Sequence, residues 1–212
     1  MSILHEISEA LQKGKAKVVA ELVEKAMEEG LKAESILNEG LLAGMEIIGE
    51  KFKNNEVYVP EVLIAARAMN QGSAILKPVL AESGVKPLGR VVLGTVKGDL
   101  HDIGKNLVRM MMEGKGIEVI DMGVDVSPEA FYEAYEKQGA QIIACSALLT
   151  TTMNEMKNVI DFFEAKGARD KVTFMVGGAP ITDSFCKSIG ADYYAADAAT
   201  AADVAKSVLV GA

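Results

Sequence analysis

The hydrophobic pattern changes period partway along the chain, and that change limits the folds open to it. Over the first eighty or so residues the apolar positions recur at helical spacing. Ile3, Ile7 and Leu11 predict a helix over 3–12, and Val18, Val19, Leu22, Val23, Ala26 and Met27 predict one over 15–29. Ile36, Leu37, Leu41, Met45, Ile48 and Phe52 predict a third over 33–52. Leu63, Ala66, Met69, Ile75 and Leu76 predict a fourth over 60–82, opened by Pro60 at a position that favours proline. Four amphipathic helices with short polar joins suit an antiparallel bundle. Ser83-Gly84-Val85-Lys86-Pro87-Leu88-Gly89 reads as a linker, which puts the domain boundary between residues 86 and 87.

Beyond the linker, short β-rich runs alternate with helical patterns. The strands are expected at Arg90–Val96, Ile117–Met122, Gln141–Ser146, Val172–Val176 and Asp192–Ala195. The helices fit at 104–115, 127–138, 152–167, 181–189 and 199–209. Five βα units imply a parallel sheet covered on both faces. The expected fold class is therefore α/β, a helical bundle followed by a flavodoxin-like, Rossmann-type five-stranded sheet with strand order 2-1-3-4-5.

Composition narrows the function. Half of the 212 residues are hydrophobic and a quarter are charged, ample material for a globular core. A net charge of −8 repels phosphate backbones, which argues against a nucleic-acid partner. Fully apolar runs such as Ile142 to Ala144 fall far short of the ~20 residues that span a membrane. The N-terminus lacks the basic start and apolar stretch of a secretory signal. Cys145 and Cys186 stand alone in apolar segments, without metal-ligand spacing, as buried thiols of a reducing compartment would. A cytoplasmic location is expected.

In an open parallel sheet, ligands sit beyond the carboxyl ends of the strands, near the switch between strands 1 and 3. Three segments then matter: Lys97-Gly98-Asp99-Leu100-His101-Asp102-Ile103-Gly104-Lys105-Asn106 after strand 1, Ser146 to Thr152 after strand 3, and Gly177-Gly178-Ala179-Pro180 after strand 4. Several chemistries are excluded. Gly94, Gly98 and Gly104 do not make a dinucleotide fingerprint, and Gly104-Lys105-Asn106 lacks the hydroxyl that a phosphate loop gives to magnesium. Strand 3 ends in Cys145-Ser146, without the acid of a phosphorylated receiver domain. Ser146 lacks a G-x-S-x-G elbow.

His101 is one of two histidines and lies in a glycine-flanked loop. A neutral imidazole ligates metals well, and a carboxylate on its second nitrogen fixes the tautomer and raises its basicity. Asp99 and Asp102 are both close enough in sequence to serve. The plain alternative is a solvated loop histidine followed by Asp102 as a helix cap. One histidine cannot hold bare zinc, but a macrocyclic metal needs only one axial donor from the protein. Gly177-Gly178 makes either a tight turn or a place of close backbone approach. Ser146, Thr150, Thr151 and Thr152 offer hydroxyls to a ligand tail, or cap a helix.

Together these segments resemble the three motifs of cobalamin-binding domains. The D-x-H-x-x-G signature stands as Asp99, His101 and Gly104, followed in order by Ser146-x-Leu148 and Gly177-Gly178. The helical segment, including Val57-Tyr58-Val59-Pro60-Glu61, resembles the cap before such a domain in methionine synthase. The whole is similar to the corrinoid proteins of methylamine, methanol and methoxyl-compound methyltransferase systems. The resemblance implies a cobalamin or related corrinoid, with His101 as lower cobalt ligand in place of the cofactor's own base and Asp99 hydrogen-bonded to it. It places Gly98, Asp102, Gly104 and Leu148 at the cofactor. The nucleotide tail would pass Ser146, Thr150, Gly177 and Gly178, with Asp197 and Ala198 at its far end and Tyr58 or Val59 as lid residues. Where related domains continue the relay with serine, this chain has Thr152. The implied function is a carrier that takes a methyl group on cob(I)alamin from a substrate:corrinoid methyltransferase. It would deliver that group as methyl-Co(III) to a methylcorrinoid:acceptor methyltransferase, with tetrahydrofolate or a thiol as acceptor and a reductive activase in support. The other readings are a cobalamin-binding sensor, disfavoured by the glutamates among the N-terminal lysines, and the small subunit of an adenosylcobalamin mutase.

Overall fold

The computed structural model describes residues 2–84 and 86–211; Val85, inside the expected linker, and the two terminal residues lie outside the described residues. The chain divides into two compact units, Met1–Lys86 with Gly114–Gly116, and Pro87–Glu113 with Ile117–Ala212.

The first unit is helical. Helix α1 (Ile3–Gln12) is capped by the Ser2 hydroxyl, which accepts from His5 N at 3.3 Å. Helix α2 (Ala16–Glu28) follows. The third predicted helix is a composite: α3 (Ala33–Ser35) runs through a π-helical stretch, Ile36–Leu42, into α4 (Ala43–Lys53). Periodicity alone reads such a stretch as one α-helix, because the spacings of four from Leu37 to Leu41 to Met45 suit either helix type. Helix α5 (Val59–Glu82) opens with Pro60, and Glu61 accepts from Tyr58 N at 3.0 Å. The inner faces meet through Ile7, Leu11, Val19, Val23, Ile36, Leu41, Met45, Ile48, Val62 and Leu76, all buried. Tyr58 is exposed.

The second unit is a parallel sheet of five strands in the order β2-β1-β3-β4-β5. They are β1 (Arg90–Thr95), β2 (Glu118–Asp121), β3 (Ile142–Ser146), β4 (Thr173–Gly177) and β5 (Tyr193–Ala195). The helices between and after them are α6 (Ile103–Glu113), α7 (Pro128–Gln138), α8 (Glu155–Ala165), α9 (Asp183–Ser188) and α10 (Ala198–Gly211). Val92, Ile143, Cys145, Phe174 and Val176 join Phe131 of α7 and Phe163 of α8 in one buried cluster. Residues of opposite parity, Val91, Leu93, Ile142, Ala144 and Met175, are just as buried, so both faces of the sheet are covered. Both thiols are free and buried, and burial pushes the Cys145 thiol up to about 12. Among the described residues no helix is long and apolar enough to cross a membrane.

Several predicted boundaries move by one or two residues, and one moves by three. Helix α8 starts at Glu155 and not at residue 152, because the preceding turns hand Thr152 to another partner.

Candidate functional site

Strand order fixes where the site can be. The chain leaves β1 toward β2 on one side, while β3 pairs on the other, so the crevice opens beyond the carboxyl ends of β1 and β3. Gly98, at φ +79°, turns the chain sharply after β1 and brings Asp99 back under it. The Asp99 side chain is fully buried. Its Oδ1 accepts from His101 N at 3.1 Å and lies 2.7 Å from His101 Nδ1. Its Oδ2 accepts from Leu148 N at 2.8 Å, Leu149 N at 3.2 Å and the Thr152 hydroxyl at 2.7 Å. Burial pushes this carboxyl up, but the bonds from His101, Leu148 and Thr152 outweigh it and hold the group well below the usual carboxylate range.

An ionised Asp99 therefore requires a donor at His101 Nδ1, which leaves Nε2 as the other nitrogen of a half-exposed ring. No described residue bonds Nε2. The Thr95 hydroxyl, fully buried, donates to the His101 carbonyl at 2.8 Å and anchors the loop from beneath. Asp102 is not the imidazole's partner. Its carbonyl accepts from Asn106 N at 2.8 Å and its Oδ2 accepts from Asn106 Nδ2 at 3.0 Å, at the head of α6.

The bonds from Asp99 to Leu148, Leu149 and Thr152 bring the loop after β3 against the loop after β1. The glycine pair brings in the third. Gly178, at φ +130°, presses on the Ala147 carbonyl so closely that a Cβ there would run into the oxygen. A Cβ on Gly177 would stand 3.1 Å from the Ala195 carbonyl. Gly178 is thus required by the protein's own backbone, and Gly177 is favoured by it. Ser146 is half-buried and Thr150 exposed, and neither hydroxyl has a partner among the described residues. Gly104 opens onto free space. Asp197 commits both oxygens to Thr200, accepting from its N at 2.8 Å and its hydroxyl at 2.7 Å, and Ala198 is buried. These two residues form a helix start and offer a ligand no unpaired side-chain donor.

Residues 89–205 match the B12 binding domain family, and residues 3–77 match a second family of the same description. A corrinoid protein of Desulfitobacterium hafniense is 41% identical over 212 residues, spanning 99% of this chain and 98% of that one. This chain belongs to the B12-binding corrinoid-protein family. A dimethylamine corrinoid protein of Methanosarcina barkeri is 44% identical over 209 residues, spanning 98% of this chain and 97% of that one. Among solved structures, the methanol:cobalamin methyltransferase complex of Methanosarcina barkeri matches at a TM-score of 0.89 and 30% identity, over 99% of this chain and 80% of that chain.

The residues present fit a corrinoid. Among the described residues no cluster of three or more His, Cys, Asp or Glu side chains could hold a bare ion, whereas a macrocyclic cobalt needs only one protein donor, of the kind His101 Nε2 would offer. Around it, Leu100 and Ile103 are 71% and 78% exposed and Leu148 and Leu149 are 44% and 41% exposed. Large aliphatic side chains in water at a loop edge are unfavourable alone and suit a broad, largely apolar ring.

Sequence reading missed several residues here. Thr95 looks like strand interior, and its hydroxyl has no sequence signature. Lys105 resembles a phosphate-loop lysine but is buried, donating to Asp121 Oδ1 at 2.5 Å and Asn106 Oδ1 at 2.9 Å. Asp121 also accepts from Arg109 at 2.9 Å and Gly123 N at 2.9 Å. Burial raises the Asp121 carboxyl, and the bonds from Lys105 and Gly123 bring it below its ordinary value. Asp125 accepts from Gly98 N at 2.7 Å across 27 residues of sequence, too far for any local pattern to reveal.

Proposed function

We propose that this chain is a methyl-carrying corrinoid protein, with His101 Nε2 as lower ligand to the cobalt. The observation that carries the site assignment is the Asp99–His101 pair. An ionised, buried carboxylate holds Nδ1 at 2.7 Å and leaves Nε2 as the ring's free donor. When bound, the corrinoid supplies a cobalt centre that accepts and releases a methyl group. The chain's own residues do the rest. Asp99 fixes the imidazole tautomer and raises its donor strength, Thr152 and the Leu148 and Leu149 amides hold Asp99 in place, and Thr95 holds the His101 backbone. Leu100, Ile103, Leu148 and Leu149 shield the ring's surroundings from water. Gly98, Asp102, Gly104, Ser146, Thr150, Gly177 and Gly178 complete the proposed binding residues, with Asp197 and Ala198 at the margin.

The relatives named for dimethylamine and methanol systems support a substrate:corrinoid methyltransferase as partner. A methylcorrinoid:acceptor methyltransferase and a reductive activase are proposed as further partners. The division at residue 86 into a helical cap and a corrinoid-binding domain belongs to the same reading. So does a cytoplasmic location, in keeping with two buried, unpaired thiols. Neither the sensor nor the mutase reading gains support from these relatives.

The test is spectroscopic. Protein loaded with hydroxocobalamin and reduced to the Co(II) form should show nitrogen coupling from an imidazole in its paramagnetic resonance spectrum, sensitive to ¹⁵N-histidine labelling. His101→Ala should retain part of the corrinoid and lose that coupling. An unchanged variant spectrum would sink the assignment.

A further inference from the structure

The turn between β2 and α7 carries backbone strain beside the ligand loop. Asp125 has φ +55°, in the left-handed region that residues other than glycine occupy at a cost. Glycine would adopt that conformation freely but would bring no carboxylate. The carboxylate is engaged: Asp125 Oδ1 accepts from Gly98 N at 2.7 Å, while Asp125 N donates to the Asp99 carbonyl at 3.0 Å. The two bonds run in opposite directions and straddle the Gly98–Asp99 segment.

The turn is itself fastened to the sheet. Thr95 N donates to the Gly123 carbonyl at 3.0 Å, Val126 N donates to the Thr95 carbonyl at 3.0 Å, and Val96 and Val126 form a parallel bridge. Asp125 therefore transmits the rigidity of β1 to the one segment that carries the imidazole's carboxylate partner. Metal-site geometry has to be held to within ~0.5 Å, and residues that touch no ligand hold it.

We infer that Asp125 is a positioning residue for axial ligation: by clamping the segment between Gly98 and Asp99 it sets where the Asp99 carboxylate stands, and so where His101 Nε2 points. The inference rests on His101 being the cobalt ligand.

Two variants test it. Asp125→Gly removes the carboxylate and relieves the strain, so its melting temperature should stay close to that of the unaltered protein. Asp125→Asn keeps an oxygen acceptor on a residue that tolerates the left-handed region. In the cofactor-free protein, Gly98 amide hydrogen exchange should quicken by about tenfold in the glycine variant, as a lost hydrogen bond implies. In the hydroxocobalamin-loaded, Co(II) form, the imidazole-coupled fraction should fall by at least about threefold in the glycine variant, within the range that one hydrogen bond commands. The asparagine variant should recover most of both. The inference is overturned if Asp125→Gly keeps the full imidazole-coupled fraction, if it fails to fold, or if Asp125→Asn loses as much as glycine does. A parent protein with no imidazole coupling would instead sink the ligand assignment beneath it. Coupling in the parent with none lost in the glycine variant would sink this inference alone.

Discussion

Two carboxylates lie at the carboxyl ends of neighbouring strands, Asp99 in the loop after β1 and Asp121 at the end of β2, and the fold solves the cost of their burial in opposite ways. Asp121 is matched by cations, Lys105 and Arg109, with Gly123 N as a third donor. Asp99 is matched by dipoles: three backbone amides and a hydroxyl, with His101 as its one ionisable bonding partner among the described residues. A carboxylate neutralised by two cations projects little field beyond them. One solvated by dipoles keeps its full charge for the imidazole it holds, and makes the far nitrogen a stronger electron donor. The first arrangement fastens α6 to β2. The second leaves a charge available for chemistry.

That contrast can be broken by experiment. Asp121→Ala strands the Lys105 ammonium, which is 2% exposed, without its counter-charge. Unfolding in urea should show a loss of roughly 3–5 kcal/mol, as for other broken buried pairs. The surviving folded protein should keep its imidazole-ligated spectrum. Asp99→Asn should cost less stability, about 1–3 kcal/mol, because several donors still find an oxygen. It should nevertheless lower the imidazole-ligated fraction measurably. If stability and ligation responded in the reverse pattern, the division of labour would be wrong.

A smaller effect follows from pH. The Asp121 carboxyl sits below its ordinary value in the folded state, so the unfolded chain binds its proton first as pH falls. Its stabilising contribution is complete above the ordinary aspartate value of about 3.9 and drains away below it, through the folded value. Acid-unfolding curves of the parent and Asp121→Asn should therefore converge as pH drops below about 4. Curves that stayed parallel would show that Lys105 and Arg109 do not bind the ionised form preferentially.

Much of this architecture is legible in the sequence because it is written in local period. The five βα units, the strand order and the helical opening follow from where apolar residues repeat and where glycine and proline interrupt. The π-helical stretch at Ile36–Leu42 escapes because apolar residues spaced by four fit it and an α-helix alike. The site divides along the same line. Asp99 and His101 are two residues apart and their pairing is local. The bonds from Asp99 to Thr152 and from Gly98 to Asp125 span 53 and 27 residues, and they exist only once the sheet has assembled. The glycine pair is visible in the sequence as well, but its physical reason, the Ala147 and Ala195 carbonyls against it, is tertiary.

The state of the two cysteines has a bearing on what the molecule can safely carry. A protein that holds an electrophilic one-carbon group must not present a competing nucleophile, and thiolates are the side chains most prone to being alkylated. Cys145 stands one residue before the Ser146 loop, yet it is sealed into the sheet and keeps its proton far into alkaline pH. Cys186 is likewise buried, with its thiol pushed up, first by desolvation and then by Asp183 and Asp192. Neither thiol is presented as a nucleophile that would compete for such a group.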